Sequence, residues 1–324
     1  MRLILKFVLA VVVVIAGLAF TFPRDSVDRA IGFDPGTLPD DLDAYLASSE
    51  AAFADITAGS VKRIVWAGAK GAKTPLAIVY VHGFSATAEE IRPVPDNVAQ
   101  TAGANLYFMR LAGHGRSGDA MATATAGEWV EDMAEAMAIG RRLGDRVLLI
   151  ATSTGAPLAA IAATDPALKD GVAGVVMISP NFGLKSAAGM ILDMPLARWW
   201  GPLVAGATRS FEPENEGHAA HWTTSYPTTA LFPMAALVRE GRGLDFSLAA
   251  VPLLLIYAEA DQVIDPARIP AVAGAWGGAV VEEKLVMGDG DDPYSHVIAG
   301  DILSPGQTAK ATGVIVSWMG ANGL

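Results

Sequence analysis

Ser153 is the residue whose surroundings most clearly suggest covalent chemistry. It lies in the run ATSTG at positions 151–155, after an apolar stretch at 146–151 that predicts a buried strand and before residues that predict a helix. A serine at a sharp strand-to-helix turn projects its hydroxyl above the sheet in a strained conformation. Such a turn needs small residues two positions before and after the serine, and Ala151 and Gly155 meet that need. We therefore predict that Ser153 is a nucleophile.

A nucleophilic serine needs a general base, and the base needs an acid that orients it. Only His296 follows the last predicted strand, and it precedes the predicted C-terminal helix. Asp261 follows the apolar strand predicted at 252–257. Asp265 is the rival acid, but its place just before a proline suits a helix N-cap. The expected catalytic residues are Ser153, Asp261 and His296.

The sequence His82-Gly83-Phe84 ends the strand predicted at 75–81. Glycine lets the backbone bend there, so that the next amide can face a developing oxyanion. We predict an oxyanion hole made by the N–H groups of Phe84 and of Thr154, the residue after the nucleophile. We expect His82 to hold this turn by a hydrogen bond rather than to act in catalysis.

Three further clusters are predicted to hold no bound ion or cofactor. The run GHGRSG at 113–118 opens no predicted helix, so we expect a tight turn beside the site rather than a phosphate loop. His218 and His221 lie close to acidic residues but have no thiol and no defined third ligand, so no metal is predicted. The aspartates of 289–292 lack the spacing of a calcium loop and are expected to form a solvated turn. We expect no cofactor.

The elements around these residues alternate between apolar strands and helices. Strands are predicted at 60–66, 75–81, 105–110, 146–151, 172–178, 252–257 and 280–287, and helices at 87–102, 128–143, 155–163, 266–275 and 307–319. Continuous apolar strands alternating with helices predict an α/β fold with a mostly parallel sheet covered on both faces.

Residues 181–248 interrupt this alternation and show no strand pattern. We expect them to form a helical cap inserted between two late strands. Apolar side chains of the cap, among them Trp199, Trp200 and Trp222, either line an apolar substrate pocket or pack the cap itself. The predicted domains are thus a core, residues 23–180 and 249–324, and a cap.

Composition excludes some classes of function and disfavours others. The 324 residues include no cysteine, which excludes disulfides and thiolate chemistry, and the net charge of −11 disfavours nucleic-acid binding. Arg2 and Lys6 precede an uncharged apolar run at 7–22. Residues 1–22 are therefore predicted to be a signal peptide or an N-terminal membrane anchor, and the body is expected outside the cytoplasm. Membrane contact is expected through this segment if it is not cleaved.

Together these motifs resemble the α/β-hydrolases, and within them the group of monoacylglycerol lipases and serine aminopeptidases. The resemblance covers roughly residues 55 to 320 and departs from the group at the elbow, where the usual Gly-His-Ser-x-Gly-Gly is replaced by ATSTGA. It implies a serine hydrolase that cleaves a carboxylic ester, with an apolar acyl or small lipid substrate, through an acyl-enzyme. An acyltransferase or a serine aminopeptidase would use the same three residues, and a non-catalytic binding protein on this fold is the remaining alternative.

Overall fold

A computed structural model describes residues 4–7, 11, 14, 17, 24–186 and 188–324 of the chain. The predicted signal or anchor at 1–22 lies mostly outside the described residues. In the part of the chain that is described, no helix has both the length and the apolar character needed to span a membrane.

A central sheet positions the candidate site. Its strands are β1 (Arg63–Val65), β2 (Thr74–Val81), β3 (Asn105–Phe108), β4 (Gly144–Thr152), β5 (Val172–Ile178), β8 (Leu253–Tyr257) and β9 (Val280–Lys284). Across the described ranges these seven strands lie in the order β1-β3-β2-β4-β5-β8-β9. Only β1 runs antiparallel to its neighbour; every other pair in this sheet is parallel. The carboxyl ends of the parallel strands therefore meet at one edge, where the candidate site lies.

Helices cover the sheet. They are α1 (Leu42–Glu50), α2 (Val94–Ala102), α3 (Gly118–Thr123), α4 (Ala126–Leu143), α5 (Gly155–Thr164), α6 (Ala188–Leu192), α7 (Ala197–Ala205), α8 (Glu216–His221), α9 (Leu231–Arg242), α10 (Ile269–Ala275) and α11 (Thr308–Ala321). Single turns of 3-10 helix occur at Pro35–Thr37, Thr228–Ala230, Phe246–Leu248, Pro266–Arg268 and Pro305–Gln307.

The two faces of the sheet carry two apolar cores. Alternate residues of β2 enter opposite cores, Val79 one and Ile78 the other, and neither is exposed. A strand that is buried on both faces has to be apolar at every position, which explains the uninterrupted hydrophobic runs of the sequence. The predicted fold class, a mostly parallel sheet flanked by helices, is confirmed.

One predicted helix begins late. We expected it over 87–102, but α2 starts at Val94, and the residues before it form turns in which Glu90 N–H donates to the Thr87 carbonyl and Val94 N–H to the Ile91 carbonyl. Pro93 and Pro95 have no N–H to donate, so a helix can begin at them but cannot run through them.

The segment between β5 and β8 is not purely helical. Besides α6 to α9 it contains two short antiparallel strands, β6 (Thr208–Ser210) and β7 (Ser225–Pro227), although the sequence showed no strand pattern there. Each strand spans three residues, too few for a period-2 pattern to be read from sequence. Helix α9 packs against α5 of the core, and its Leu237 is fully buried there.

Candidate active site

The turn between β4 and α5 holds Ser153 in a left-handed conformation, with φ of +49°. Ser153 N–H donates to the Ile178 carbonyl at 2.9 Å, and the Ser153 carbonyl accepts from Ala156 and Asn181, each at 3.0 Å. A Cβ on Gly155 would lie 2.5 Å from the Val81 carbonyl oxygen, so only glycine fits this approach of helix to strand. The strained turn and its small neighbour are as expected from the sequence.

The three predicted catalytic residues meet at this turn. The Nε2 atom of His296 lies 3.0 Å from Ser153 Oγ, and its Nδ1 atom lies 2.8 Å from Asp261 Oδ2. A carboxylate only accepts, so Nδ1 carries the proton and Nε2 is free to accept from the serine hydroxyl. This is the arrangement in which a histidine takes a proton from a serine.

Asp261 is fully buried and held by its own loop. Its Oδ1 atom accepts from the N–H groups of Val263 and Ile264 at 2.7 and 2.9 Å, which leaves Oδ2 for His296. The rival acid, Asp265, instead accepts from Ala267 N–H and caps the 3-10 turn that follows it, as its position before a proline predicted.

The electrostatic surroundings make His296 a stronger base. Burial favours neutral imidazole, but Asp261, Glu90 and Asp292 favour the charged form, and the net result is a pKa above the ordinary value of 6.5. The side chain is 12% exposed, so these carboxylates act on it through little water.

Asp292 is not part of a solvated turn, contrary to the expectation for residues 289–292. It is 5% exposed, and its Oδ2 atom accepts from the N–H groups of His296 and Val297 at 2.9 and 2.8 Å. Ser295, in a left-handed conformation with φ of +53°, precedes the histidine. Asp292 thus fixes the backbone that presents His296.

The predicted oxyanion donors come from two separate segments that both lie next to the serine. Thr154 follows it at the start of α5, and the backbone of Gly83 approaches so closely that a Cβ there would lie 3.1 Å from Ser153 Cβ. Within the described residues, no hydrogen-bond acceptor takes the N–H of Phe84 or of Thr154. The helix dipole of α5 adds partial positive charge beside Thr154.

We call the turn at 82–84 the oxyanion loop, after its predicted role. His82 holds this loop by hydrogen bonds, as expected. Its Nδ1–H donates to the Gly83 carbonyl at 2.8 Å, and its Nε2 accepts from Leu111 N–H at 3.1 Å. Burial lowers its pKa to about 4, so the ring stays neutral. Because the C=O and N–H of one peptide point in opposite directions, holding the Gly83 carbonyl aims the N–H of Phe84 away from His82.

Sequence reasoning missed Glu90. This carboxyl is 2% exposed and accepts from Gly83 N–H at 2.7 Å and from the Tyr80 hydroxyl at 3.1 Å. Burial raises its pKa to about 7. Tyr80 in turn lies 3.1 Å from Thr152 Oγ1, so one buried chain of polar groups joins the oxyanion loop to the strand before Ser153. Glu90 falls in a segment predicted as helix, and no residue pattern marks it.

The glycine-rich run at 113–118 forms a turn beside the oxyanion loop. Gly113 and Gly115 have φ of +77° and +65°, and the His114 ring packs against Phe84 with centroids 5.6 Å apart. Burial lowers the pKa of His114 to about 3. A buried ion pair between Arg110 and Glu50, with 2.7 Å between nitrogen and oxygen, ties this turn to α1.

The predicted substrate-binding tryptophans are spread over the inserted segment. Trp199 is 77% exposed, so it does not pack the interior of the inserted segment, and its contact with substrate stays a prediction. Trp200 donates from its indole nitrogen to the Pro195 carbonyl at 3.0 Å, and Trp222 is buried against His218, with ring centroids 4.8 Å apart.

The acidic and histidine residues of the insertion do not converge. Glu214 and Glu216 are exposed, and His218 Nδ1 accepts from the Glu214 backbone N–H at 3.2 Å. Over residues 24–186 and 188–324, no three histidine or acidic side chains are placed to hold a metal ion.

Comparison with known proteins agrees with this architecture. The family model described as serine aminopeptidase, S33, matches residues 72–232, which include the oxyanion loop and Ser153 and end before Asp261 and His296. The chain has the α/β-hydrolase fold. This confirms the resemblance on which the sequence analysis relied.

Three solved structures show the same fold. A metagenome-derived lipolytic enzyme, from a study of LipS and LipT, aligns with a TM-score of 0.67 at 17% identity, covering 82% of this chain and 99% of its own. The monoacylglycerol lipase of Paleococcus ferrophilus aligns at 0.57 and 17% identity, covering 81% and 98%. A soluble variant of the Saccharomyces cerevisiae monoglyceride lipase aligns at 0.59 and 10% identity, covering 81% and 91%. No curated protein matches the sequence.

Proposed function

We propose that this α/β-hydrolase cleaves carboxylic esters by a serine acyl-enzyme mechanism. The observation that carries the proposal is the hydrogen-bonded series from Ser153 Oγ through His296 to Asp261, with separations of 3.0 and 2.8 Å. A serine, a neutral imidazole and a buried carboxylate in that order are the parts that acyl transfer needs.

The first half of the reaction forms the acyl-enzyme. Ser153 Oγ bonds to the ester carbonyl carbon while its proton moves to His296 Nε2, and Asp261 stabilises the resulting imidazolium. The N–H groups of Phe84 and Thr154 bind the oxyanion. When the intermediate collapses, the bond from carbon to the alcohol oxygen breaks, and His296 returns the proton to the departing alcohol.

The second half releases the acid. Water attacks the acyl carbon while His296 takes a proton from it, and the new intermediate expels Ser153 Oγ, which regains that proton. Each oxyanion donor supports both intermediates, and one such donor contributes about 10²–10³ in turnover.

We infer an apolar or small lipid ester as the substrate. Two similar structures are lipases of monoacylglycerols or monoglycerides by name, and a third is a lipolytic enzyme. A serine aminopeptidase needs a carboxylate for the free amine of its substrate. Glu214 and Glu216, acidic residues of the inserted segment, are exposed to solvent, and this favours the ester.

We also propose that the catalytic domain works outside the cytoplasm. The support is the sequence alone, in which Arg2 and Lys6 precede the apolar run at 7–22. Alkaline phosphatase fused after residue 324 should be active in a bacterial host. An active β-galactosidase fusion, with an inactive phosphatase, would contradict this location.

Labelling with a fluorophosphonate probe tests the mechanism. The wild-type chain should be labelled, and Ser153→Ala and His296→Ala should not, whereas Ser317→Ala, at an exposed position of α11, should match the wild type. The labelled preparation should then hydrolyse p-nitrophenyl esters, and their chain-length dependence reports the acyl preference. A folded wild type that resists the probe would favour a binding protein on this fold.

A further inference from the structure

Apolar side chains are exposed together on the two helices α6 and α7 and on the turn that joins them. We name as the apolar patch the set Met190, Met194, Trp199, Leu203 and Val204, which are 71%, 49%, 77%, 86% and 70% exposed. The two helices pack against each other and follow one another in the chain. Exposed apolar groups that lie this close together mark an interaction surface.

The orientation of α7 explains why the patch faces outwards. Arg198 lies over the Phe232 ring at 5.7 Å, and a Cβ on Gly201 would lie 3.1 Å from the same ring, so this side of the helix faces the core. Trp199 and Leu203 are one helical turn apart on the other side. Packing against the protein therefore leaves them in solvent.

The chain that follows the N-terminal apolar run is fastened to the same helix. Arg198 binds the Asp25 carboxylate through two nitrogens, with Nη2 2.6 Å and Nε 2.9 Å from Oδ2. Arg239 donates to the Asp25 backbone carbonyl. The uncharged apolar run ends at residue 22, three positions before Asp25. Asp25, three residues after the end of that run, is thus held at α7.

The charge around the patch fits an anionic surface. The chain has a net charge of −11, but residues 194–211 contain two arginines and no acidic residue. Arg209 and Arg24 are exposed. Asp193 and Glu212 are the acidic residues that adjoin this stretch; Asp193 pairs with Arg239 and Arg242 at 2.7 and 3.1 Å, and Glu212 is exposed.

We propose that the apolar patch docks on an anionic lipid bilayer, held there by the Asp25–Arg198 pair that brings the N-terminal apolar run to the same surface. Trp199, Leu203 and the methionines enter the boundary between headgroups and acyl chains, and Arg209 and Arg24 contact lipid phosphates. An apolar face with flanking arginines is the pattern of a segment that lies in a membrane interface.

Docking in this orientation also brings the bilayer close to the catalytic residues, and this step rests on the proposed function. The chain enters α6 from residues that touch the site: Asn181 donates to Thr154 Oγ1 at 3.2 Å, and Lys185 donates to the Asp261 carbonyl at 2.5 Å. An ester that leaves the bilayer beside α6 would start within a few residues along the chain of groups that contact Thr154 and Asp261.

The test uses the full chain and vesicles of phosphatidylcholine with or without phosphatidylglycerol. Brominated lipid should quench the tryptophan fluorescence of the wild type, and Trp199→Phe should lose the larger part of that quenching. Asp25→Asn should keep membrane binding through the N-terminal run but reduce the quenching that depends on Trp199. Quenching that is equal in wild type and Trp199→Phe would overturn the proposal.

A matched pair of variants tests the patch itself. Leu203→Asp should remove most of the Trp199-dependent quenching by brominated lipid, because a charge one helical turn from Trp199 keeps α7 out of the bilayer while the N-terminal run still holds the chain on the vesicle. Val286→Asp, at a position 84% exposed and far along the chain from α7, should be quenched as the wild type is. Equal quenching of both variants, or a patch-dependent dimer in sedimentation without lipid, would overturn the proposal. Fluorophosphonate labelling of the same samples shows separately whether the serine hydrolase chemistry holds.

Discussion

At the scale of single residues, the protonation of His296 governs the reaction. The ring has to be neutral to accept the serine proton, and neighbouring carboxylates raise its pKa above 6.5 despite the opposing effect of burial. We therefore expect kcat/KM for a soluble p-nitrophenyl ester to fall as pH decreases through an apparent pKa above 6.5. A profile that stays flat down to pH 5.5 would contradict this assignment of the base.

Glu90 is a positioning residue in the same proposal, because it touches the oxyanion loop and not the reacting atoms. Glu90→Ala leaves the Gly83 N–H without its acceptor, so the loop loses one of its two anchors, and kcat should fall by up to about 10²-fold with KM little changed. Glu90→Gln keeps an acceptor oxygen and should recover most of the rate. Both are measured by steady-state kinetics on a soluble ester.

The control for Glu90 is its neighbour. Glu89 pairs with Arg63 and Arg92 at the surface and makes no contact with Gly83, so Glu89→Ala should keep the wild-type kcat. A merely structural role of Glu90 would lower the melting temperature of Glu90→Ala while leaving kcat of the folded fraction unchanged.

At the scale of elements, the close contact of α5 with β2 is the feature on which the site depends. Gly155→Ala places a Cβ 2.5 Å from the Val81 carbonyl and 2.9 Å from that of His82, so strand or helix has to shift. We expect a loss of about 1–3 kcal/mol in the free energy of unfolding, together with lower kcat, because the shift moves Ser153 relative to the oxyanion loop.

A second glycine gives the opposite expectation. Gly313 lies within α11, and a Cβ there would meet nothing within 4 Å. Gly313→Ala should raise the free energy of unfolding by about 0.5–1 kcal/mol, because alanine loses less backbone freedom in a helix. Urea titrations of both variants beside the wild type measure the two effects. A loss of stability in both would show that close contact is not what sets Gly155 apart.

The elements also show what sequence can and cannot predict. The strand, the turn and the helix around Ser153 follow from a local pattern. Asp261 and His296 were selected by their places after predicted strands, with Asp265 set aside as an N-cap. Glu90 and Asp292 acquire their roles from backbone N–H groups that folding brings to them. In the sequence alone, nothing distinguishes these two residues from acidic residues that are exposed to solvent. Strand β7 likewise depends on a tertiary contact, since a Cβ on Gly118 would lie 2.2 Å from the Ser225 carbonyl.

At the scale of the whole molecule, buried histidines and buried carboxyl groups set how the free energy of unfolding depends on pH. His82 and His114, with pKa values of about 4 and 3, stay neutral when folded, so stability rises with pH up to the ordinary histidine value of 6.5. Glu90 and Asp132 act in the opposite direction, since burial raises the pKa of each to about 7. Between pH 4 and 6.5 the histidines raise the free energy of unfolding with pH and the two carboxyls lower it, so the two contributions offset each other.

Asp132→Asn should disturb that balance. From the ordinary aspartate value of 3.8 up to about 7 the folded protein keeps a proton on Asp132 that the unfolded chain releases, so this group lowers stability as pH rises. Without it, the free energy of unfolding should rise with pH more steeply than in the wild type, by up to about 1.4 kcal/mol per pH unit. In the wild type, Ala112 N–H donates to Asp132 Oδ2 at 2.6 Å. The oxygen of the asparagine amide can accept the same hydrogen bond, so Ala112 N–H keeps an acceptor in the variant.

Urea unfolding at pH 4.5, 5.5 and 7 measures this slope, with Asp145→Asn as the control. Asp145 is 70% exposed and pairs with Lys73 at the surface, so its removal should leave the slope unchanged. If Asp132 were instead ionised through this range and paired with Lys62, which lies 4.0 Å away, Asp132→Asn would lose stability and the loss would not shrink towards pH 7. The direction of the change in slope therefore decides whether burial or the lysine controls this carboxyl.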